Sequence, residues 1–150
     1  MARRRLDLPR PRPALTVPYG DRATVDRVLA LPVWAVVGLS TDRSRAAYDV
    51  AAFLQARGRR IVPVHPRAET VHGEPGYPRL ADVPFDVDVV DLFVRSELAG
   101  PVVDEAVEKG VTAVWMQLGV LDAAAAERAE AAGLAVVMDR CPKIEWGQTR

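Results

Sequence analysis

The sequence predicts an α/β fold: one domain built on a five-stranded parallel sheet with helices on both faces. Three observations carry it. Five short apolar runs divide the 150-residue chain. Helical periodicity fills most of the segments between them. The runs are nearly continuous in apolar residues rather than alternating, which marks strands buried on both faces of a parallel sheet.

The runs are Val33-Trp34-Ala35-Val36-Val37-Gly38, Ile61-Val62-Pro63-Val64-His65, Val87-Asp88-Val89-Val90-Asp91-Leu92-Phe93, Ala113-Val114-Trp115-Met116-Gln117 and Leu134-Ala135-Val136-Val137-Met138-Asp139. Residues 1–14, with five Arg and Pro at 9, 11 and 13, hold little to bury and are expected to be disordered; the domain is then 15–150. Thr24 is expected to cap a short helix through Leu31, with Val25, Val28 and Leu29 on one face. Between Ser44 and Arg57, Ala47, Val50, Ala51 and Leu54 follow helical spacing, and Gly58 is placed to end that helix. Strand, helix and strand within about 30 residues make a βαβ unit. Residues 66–86, rich in Pro and Gly, read as a long connection with one helical turn at Arg79 to Val83. Ser96 to Gly110 is a helix, with Pro101 expected in its first turn. Asp122 caps an Ala-rich helix to Ala132, which Gly133 ends. These elements give a Rossmann-like sheet, with expected strand order 3-2-1-4-5.

Lys plus Arg equals Asp plus Glu, 20 against 20, which disfavours a general nucleic-acid binder. No apolar stretch approaches the roughly 20 residues that span a bilayer. Cys141 is the single cysteine, so no internal disulfide forms and a reducing cytoplasm is the simplest compartment. Two histidines and one cysteine, far apart, lack metal-ligand spacing.

Parallel sheets bind ligands outside the carboxyl ends of their strands. Arg43, Arg45, Arg67, Arg95, Arg140 and Lys143 all fall just beyond a run, a distribution suited to a phosphate-rich ligand. Gly38-Leu39-Ser40-Thr41-Asp42-Arg43-Ser44 sits where a dinucleotide fold places its phosphate loop, between a strand and a helix. Ser40, Thr41 and Ser44 add hydroxyls there; Arg43 and Arg45 add charge. Against G-x-G-x-x-G only Gly38 fits, with Ser40 and Arg43 at the other glycine places. After the second strand stand Val64, His65, Pro66 and Arg67 instead of the acid that holds a free ribose in NAD proteins. NAD is therefore disfavoured, and a nucleotide with a ribose phosphate stays open.

Several segments resemble the stand-alone CoA-binding domain proteins of bacteria and archaea, which are similar to the N-terminal CoA-binding domain of the succinyl-CoA synthetase alpha subunit. They are Trp34 to Ser40, Val62-Pro63-Val64-His65-Pro66, Asp88 to Phe93, Val114-Trp115-Met116-Gln117-Leu118-Gly119-Val120 and Val137-Met138-Asp139-Arg140-Cys141-Pro142-Lys143. The resemblance covers about residues 20–146. It implies coenzyme A as ligand, with Gly38, Ser40 and Arg43 to Arg45 at the pyrophosphate. It places Val64 to Arg67 at the adenine-ribose side and Leu92, Phe93 and Arg95 along the nucleotide. Met116, Gln117 and Gly119 then lie toward the pantetheine arm. His65-Pro66-Arg67 departs from the family's frequent Asn-Pro-Lys. The alpha subunit has a second domain with a phosphorylated histidine; His65 and His72 lie in no such domain, so synthetase activity by this chain alone is not expected.

The expected function is binding of coenzyme A or an acyl-CoA without catalysis of its own. The alternatives are an NADP-dependent reductase and an interaction subunit of an acyl-CoA synthetase; a homo-oligomer or a partner synthetase subunit fits either binding role. The residues offer no convincing catalytic set. His65 reads as an acid–base or phosphate-binding group, or as a local hydrogen-bonding residue; His72 reads as structural or solvated. Cys141 reads as a small buried hydrophobe or as a thiolate favoured by Arg140 and Lys143. Asp88 and Asp91 alternate onto opposite faces and do not pair. Trp34 and Trp115 read as core anchors, and Trp146 as the cover of a neighbour or of a subunit.

Overall fold

The computed structural model describes residues 19–148; the basic segment 1–14 lies outside the described residues. The elements run α1 (Arg22–Leu29), β1 (Val33–Val37), α2 (Ala46–Ala56), β2 (Arg60–Val64), a 3-10 turn (Leu80–Asp82), β3 (Val89–Leu92), α3 (Ser96–Lys109), β4 (Ala113–Met116), α4 (Ala123–Ala131), β5 (Ala135–Met138) and α5 (Pro142–Trp146). All neighbouring strands pair in parallel.

The strand order is β2-β1-β3-β4-β5, so β3 lies beside β1 and not outside β2 as expected. Pro63 gives the reason. Its carbonyl points to the outer edge of β2 and accepts from the Tyr77 N–H at 3.0 Å. A strand residue's N–H and C=O share a side, so the donor Pro63 lacks belongs to that same edge. A proline in mid-strand is tolerated at a sheet edge and not inside a ladder. Among the described residues Tyr77 alone bridges that edge, and the 65–88 connection crosses back to seat β3 on β1. Asp88 fixes the start of β3: its N–H donates to the Val33 carbonyl and its carboxylate accepts from the Val33 N–H, at 3.0 and 2.9 Å.

Alternation sorts the side chains to two faces. Val90, Leu92, Val114 and Met116 pack under α3 and α4 with Leu80 and Val83. Trp34, Val36, Val89 and Trp115 pack under α1, α2 and α5. Trp34 and Trp115 are fully buried, with ring centroids 5.7 Å apart. Each indole N–H donates to a backbone carbonyl, of Leu31 and Arg140 respectively, as a buried indole requires.

Three helix boundaries differ from expectation. Asp21, not Thr24, caps α1, accepting from the Thr24 N–H at 3.0 Å. The helix α2 starts at Ala46 because the Asp42 carboxylate takes the Ser44 N–H and hydroxyl into a turn. Pro101 is the sixth residue of α3; both it and Glu97, whose carbonyl loses a partner, are exposed to water. Asp122 caps α4 through the Ala125 N–H, as the sequence suggests. The helix α5 was not foreseen; Pro142 opens it at the position where a missing N–H costs nothing. On it Trp146 packs edge-on to Phe53 of α2, at 5.9 Å.

Candidate functional site

At the carboxyl edge of the sheet a cavity of about 430 Å3 opens among the ends of β1, β3 and β4, the start of α2 and Cys141. Gly38 forms one corner. Its N–H donates to the Val64 carbonyl at 2.8 Å, and its φ of +103° is one that side chains rarely adopt. A Cβ there would run into the Phe93 carbonyl oxygen. Glycine thus lets β1 leave the sheet directly against the chain that leaves β3. Ala47 and Val50 of α2, with Phe93, Val94 and Val120, make the walls largely apolar. The charged side chains among the lining residues are Arg45 and Arg95, and neither is in an ion pair among the described residues. The cavity is apolar inside and cationic at its rim.

The far wall is the segment after β4. The Gly119 N–H donates to the Asp139 carboxylate at 2.8 Å. The Ser96 hydroxyl donates to the Gly119 carbonyl and accepts from the Leu121 N–H. The start of α3 and the end of β5 therefore hold this segment in place. Gln117 is 6 % exposed, lines the cavity, and its side-chain carbonyl oxygen has no protein partner among the described residues. Such a group is expensive to leave unpaired. Cys141, also buried, borders the same space. Of the cations beside it in sequence, Lys143 pairs with Asp49 at 2.7 Å and Arg140 lies 3.8 Å from a Glu145 carboxylate oxygen.

The loop after β1 is closed by a residue that the sequence does not single out. Glu69 accepts from the Thr41 N–H and hydroxyl, both at 3.1 Å, and from the Arg67 side chain at 3.4 Å. The Thr41 backbone bond leads in holding the Glu69 carboxyl below its usual range. Ser40 is buried and accepts from the Asp42 N–H. Arg43 lies over the Tyr48 ring at 5.7 Å, and Ser44 is tied to Asp42. The His65 ring accepts the Arg67 N–H at Nδ1, 3.2 Å. Burial, then the Arg67 charge, lowers its pKa, so His65 is neutral at pH 7. His72 is structural: its ring nitrogen lies 2.9 Å from the Tyr48 carbonyl.

Of the sequence candidates, Gly38, Arg45, Phe93, Arg95, Gln117 and Gly119 line the cavity. Thr41, His65 and Arg67 lie along the β1–β2 side, gathered around Glu69 and the chain that follows β2. Val64, Leu92 and Met116 are buried in the core beneath α3 and α4; they support the edge from behind. Asp91 is fully buried, and neither carboxylate oxygen has a protein partner among the described residues. Burial raises its pKa well above the ordinary value, so it is a neutral acid in the row Val36, Asp91, Trp115 and Val137. A larger open groove, about 680 Å3, lies along α3 and α4. It is away from the strand ends, and both of its arginines are paired, Arg79 with Glu105 and Arg128 with Asp104. It lacks the free positive charge of the smaller cavity.

The family model of a CoA binding domain matches residues 32–147, a span that includes every cavity-lining residue. The chain belongs to the CoA-binding domain family. It is 31 % identical over 116 residues to the uncharacterised protein YneT of Bacillus subtilis, covering 77 % of this chain and 86 % of that one. It is 32 % identical over 81 residues to the alpha subunit of the ADP-forming acetate–CoA ligase II of Pyrococcus furiosus. That match takes in 53 % of this chain and only 18 % of the ligase subunit. A solved hypothetical protein of Pyrococcus horikoshii superposes with a TM-score of 0.82 at 32 % identity, covering 95 % of this chain and 98 % of that one. The dinucleotide-forming acetyl-coenzyme A synthetase 1 of Candidatus Korarchaeum cryptofilum superposes at 0.67 and 25 % identity, over 77 % of this chain and 28 % of the synthetase. No described helix is long and apolar enough to cross a membrane.

Proposed function

We propose that this chain binds coenzyme A, or an acyl-CoA, at the carboxyl edge of its sheet and performs no chemistry of its own on it. The observation that carries the reading is the apolar cavity with Arg45 and Arg95 at its rim. Coenzyme A is a polyanion at one end and a mostly uncharged arm at the other, so it needs both parts. The pyrophosphate then lies by the Gly38–Arg45 loop, where the start of α2 and the arginines favour negative charge. The adenosine end lies toward His65 and Arg67. The arm enters the cavity, where an amide N–H meets the unpaired carbonyl oxygen of Gln117. The family match and the ligase and synthetase relatives support the same ligand. In the ligases this domain is a small part of a larger protein. Acyl-CoA chemistry on the ligand held here would then fall to a partner synthetase subunit.

Isothermal titration tests the reading. Coenzyme A should bind more tightly than NAD or NADP. Tight binding of NADP with none of coenzyme A would replace this reading with that of a reductase.

A further inference from the structure

The Glu69 carboxylate occupies donors that a nucleotide-phosphate site would use. Thr41 belongs to the loop after β1, Arg67 to the chain after β2, and Glu69 joins them across 28 residues of sequence. The contact is built into the fold. Gly76 lies so close to this stretch that a Cβ on it would run into the Glu69 carbonyl oxygen, so the chain at residue 76 packs directly against the backbone of residue 69. The Thr41 backbone N–H points at the carboxylate. Yet the Arg67 and Glu69 side chains are 62 % and 30 % exposed, so an incoming group can reach them.

A carboxylate in this position has two consequences for a nucleotide. A ligand phosphate must displace it or meet its charge at close range, where like charges repel. A ribose hydroxyl can donate to it, as riboses do to an acid near the second strand in other nucleotide folds. The sequence shows no acid directly after β2; the fold returns one to that corner from five residues further on. Arg67 alone would favour a phosphorylated ribose, and Glu69 offsets that preference.

Resting on the coenzyme A reading above, we propose that Glu69 is the specificity residue of the nucleotide end: it holds the place of a ligand phosphate on Thr41 and Arg67, and so weakens selection for the ribose phosphate. Coenzyme A and dephospho-CoA differ by that phosphate alone, so their affinity ratio reads the effect. The two ligands are titrated calorimetrically into the wild type, Glu69→Gln and Arg67→Ala. Glu69→Gln keeps an acceptor for Thr41 and removes the charge. It should tighten coenzyme A about tenfold, the scale of one charge-assisted contact, and change dephospho-CoA less than about threefold. Glu69→Ala, which empties the position, should move the ratio the same way, and Arg67→Ala should move it the other way. An unchanged ratio in both Glu69 variants, or weaker coenzyme A binding, overturns the specificity role while leaving coenzyme A binding intact. Failure of the wild type to bind either ligand overturns both readings.

Discussion

Gly38→Ala tests the corner on which the cavity depends. Gly38 sits at φ +103°, and a Cβ there would lie 3.2 Å from both the carbonyl carbon and the Cβ of Phe93, with the carbonyl oxygen closer still. Two costs add. A side chain at positive φ costs about 1–2 kcal/mol. Forcing backbone apart in a packed region costs about 1–3 kcal/mol more. The sum, about 2–5 kcal/mol, should lower the thermal midpoint by roughly 10 °C in a chain of this size. Phe93 is the part that must move, and Phe93 walls the cavity, so coenzyme A affinity should fall with stability. Gly58→Ala is the control. Its φ of +84° is also positive, but nothing lies within 4 Å of an added Cβ. It should cost only the conformational term and leave affinity unchanged. Thermal unfolding followed by circular dichroism, with and without coenzyme A, measures both variants. Equal midpoints for the two, or full affinity in Gly38→Ala, would refute the close approach of β1 and β3 as the basis of the site.

Two further outcomes follow from buried groups. Asp91 is protonated in the fold and ionises in the unfolded chain above its ordinary value of 3.8. The unfolded chain then holds fewer protons. The contribution of Asp91 is thus complete below pH 3.8 and declines as pH rises toward the raised folded-state value, by about 1.4 kcal/mol per unit. Asp91→Asn should be the more stable protein at pH 7, and its advantage should shrink toward pH 4 in urea titrations; a constant difference would contradict this account. Cys141, the chain's single cysteine, borders the cavity while nearly buried. A small alkylating reagent should label it slowly, and saturating coenzyme A should slow labelling further. Labelling unaffected by ligand would move the arm out of this cavity.

Much of the fold is legible because parallel strands are written as continuous apolar runs and helices as spaced ones. The five runs fall on the five strands, and Asp122, Gly58 and Gly110 mark helix ends where the chain has them. The expected strand order, 3-2-1-4-5, put β2 inside the sheet and missed the signal of Pro63, since a mid-strand proline argues for an edge. The lining of the candidate cavity was legible in part. Strand ends in a parallel sheet locate a ligand edge, which brings in Gly38, Arg45, Phe93 and Gln117. Alternation also separates Phe93 and Gln117 from Leu92 and Met116, which take the opposite face. Glu69 was not legible, because its role depends on how a 24-residue connection without a long helix folds back on the first loop. The pairing of Lys143 with Asp49, 94 positions away, was equally hidden.

The central claim is that coenzyme A lies along this one edge, and amide chemical-shift mapping of the 15N-labelled protein tests it most directly. Titration with coenzyme A should shift Gly38 to Ala47, His65 to Glu69, Phe93 to Arg95 and Gln117 to Gly119, and leave the groove along α3 and α4 at Asp104 and Arg128 unmoved. Shifts confined to that groove, or no saturable shifts at millimolar ligand, would contradict the account.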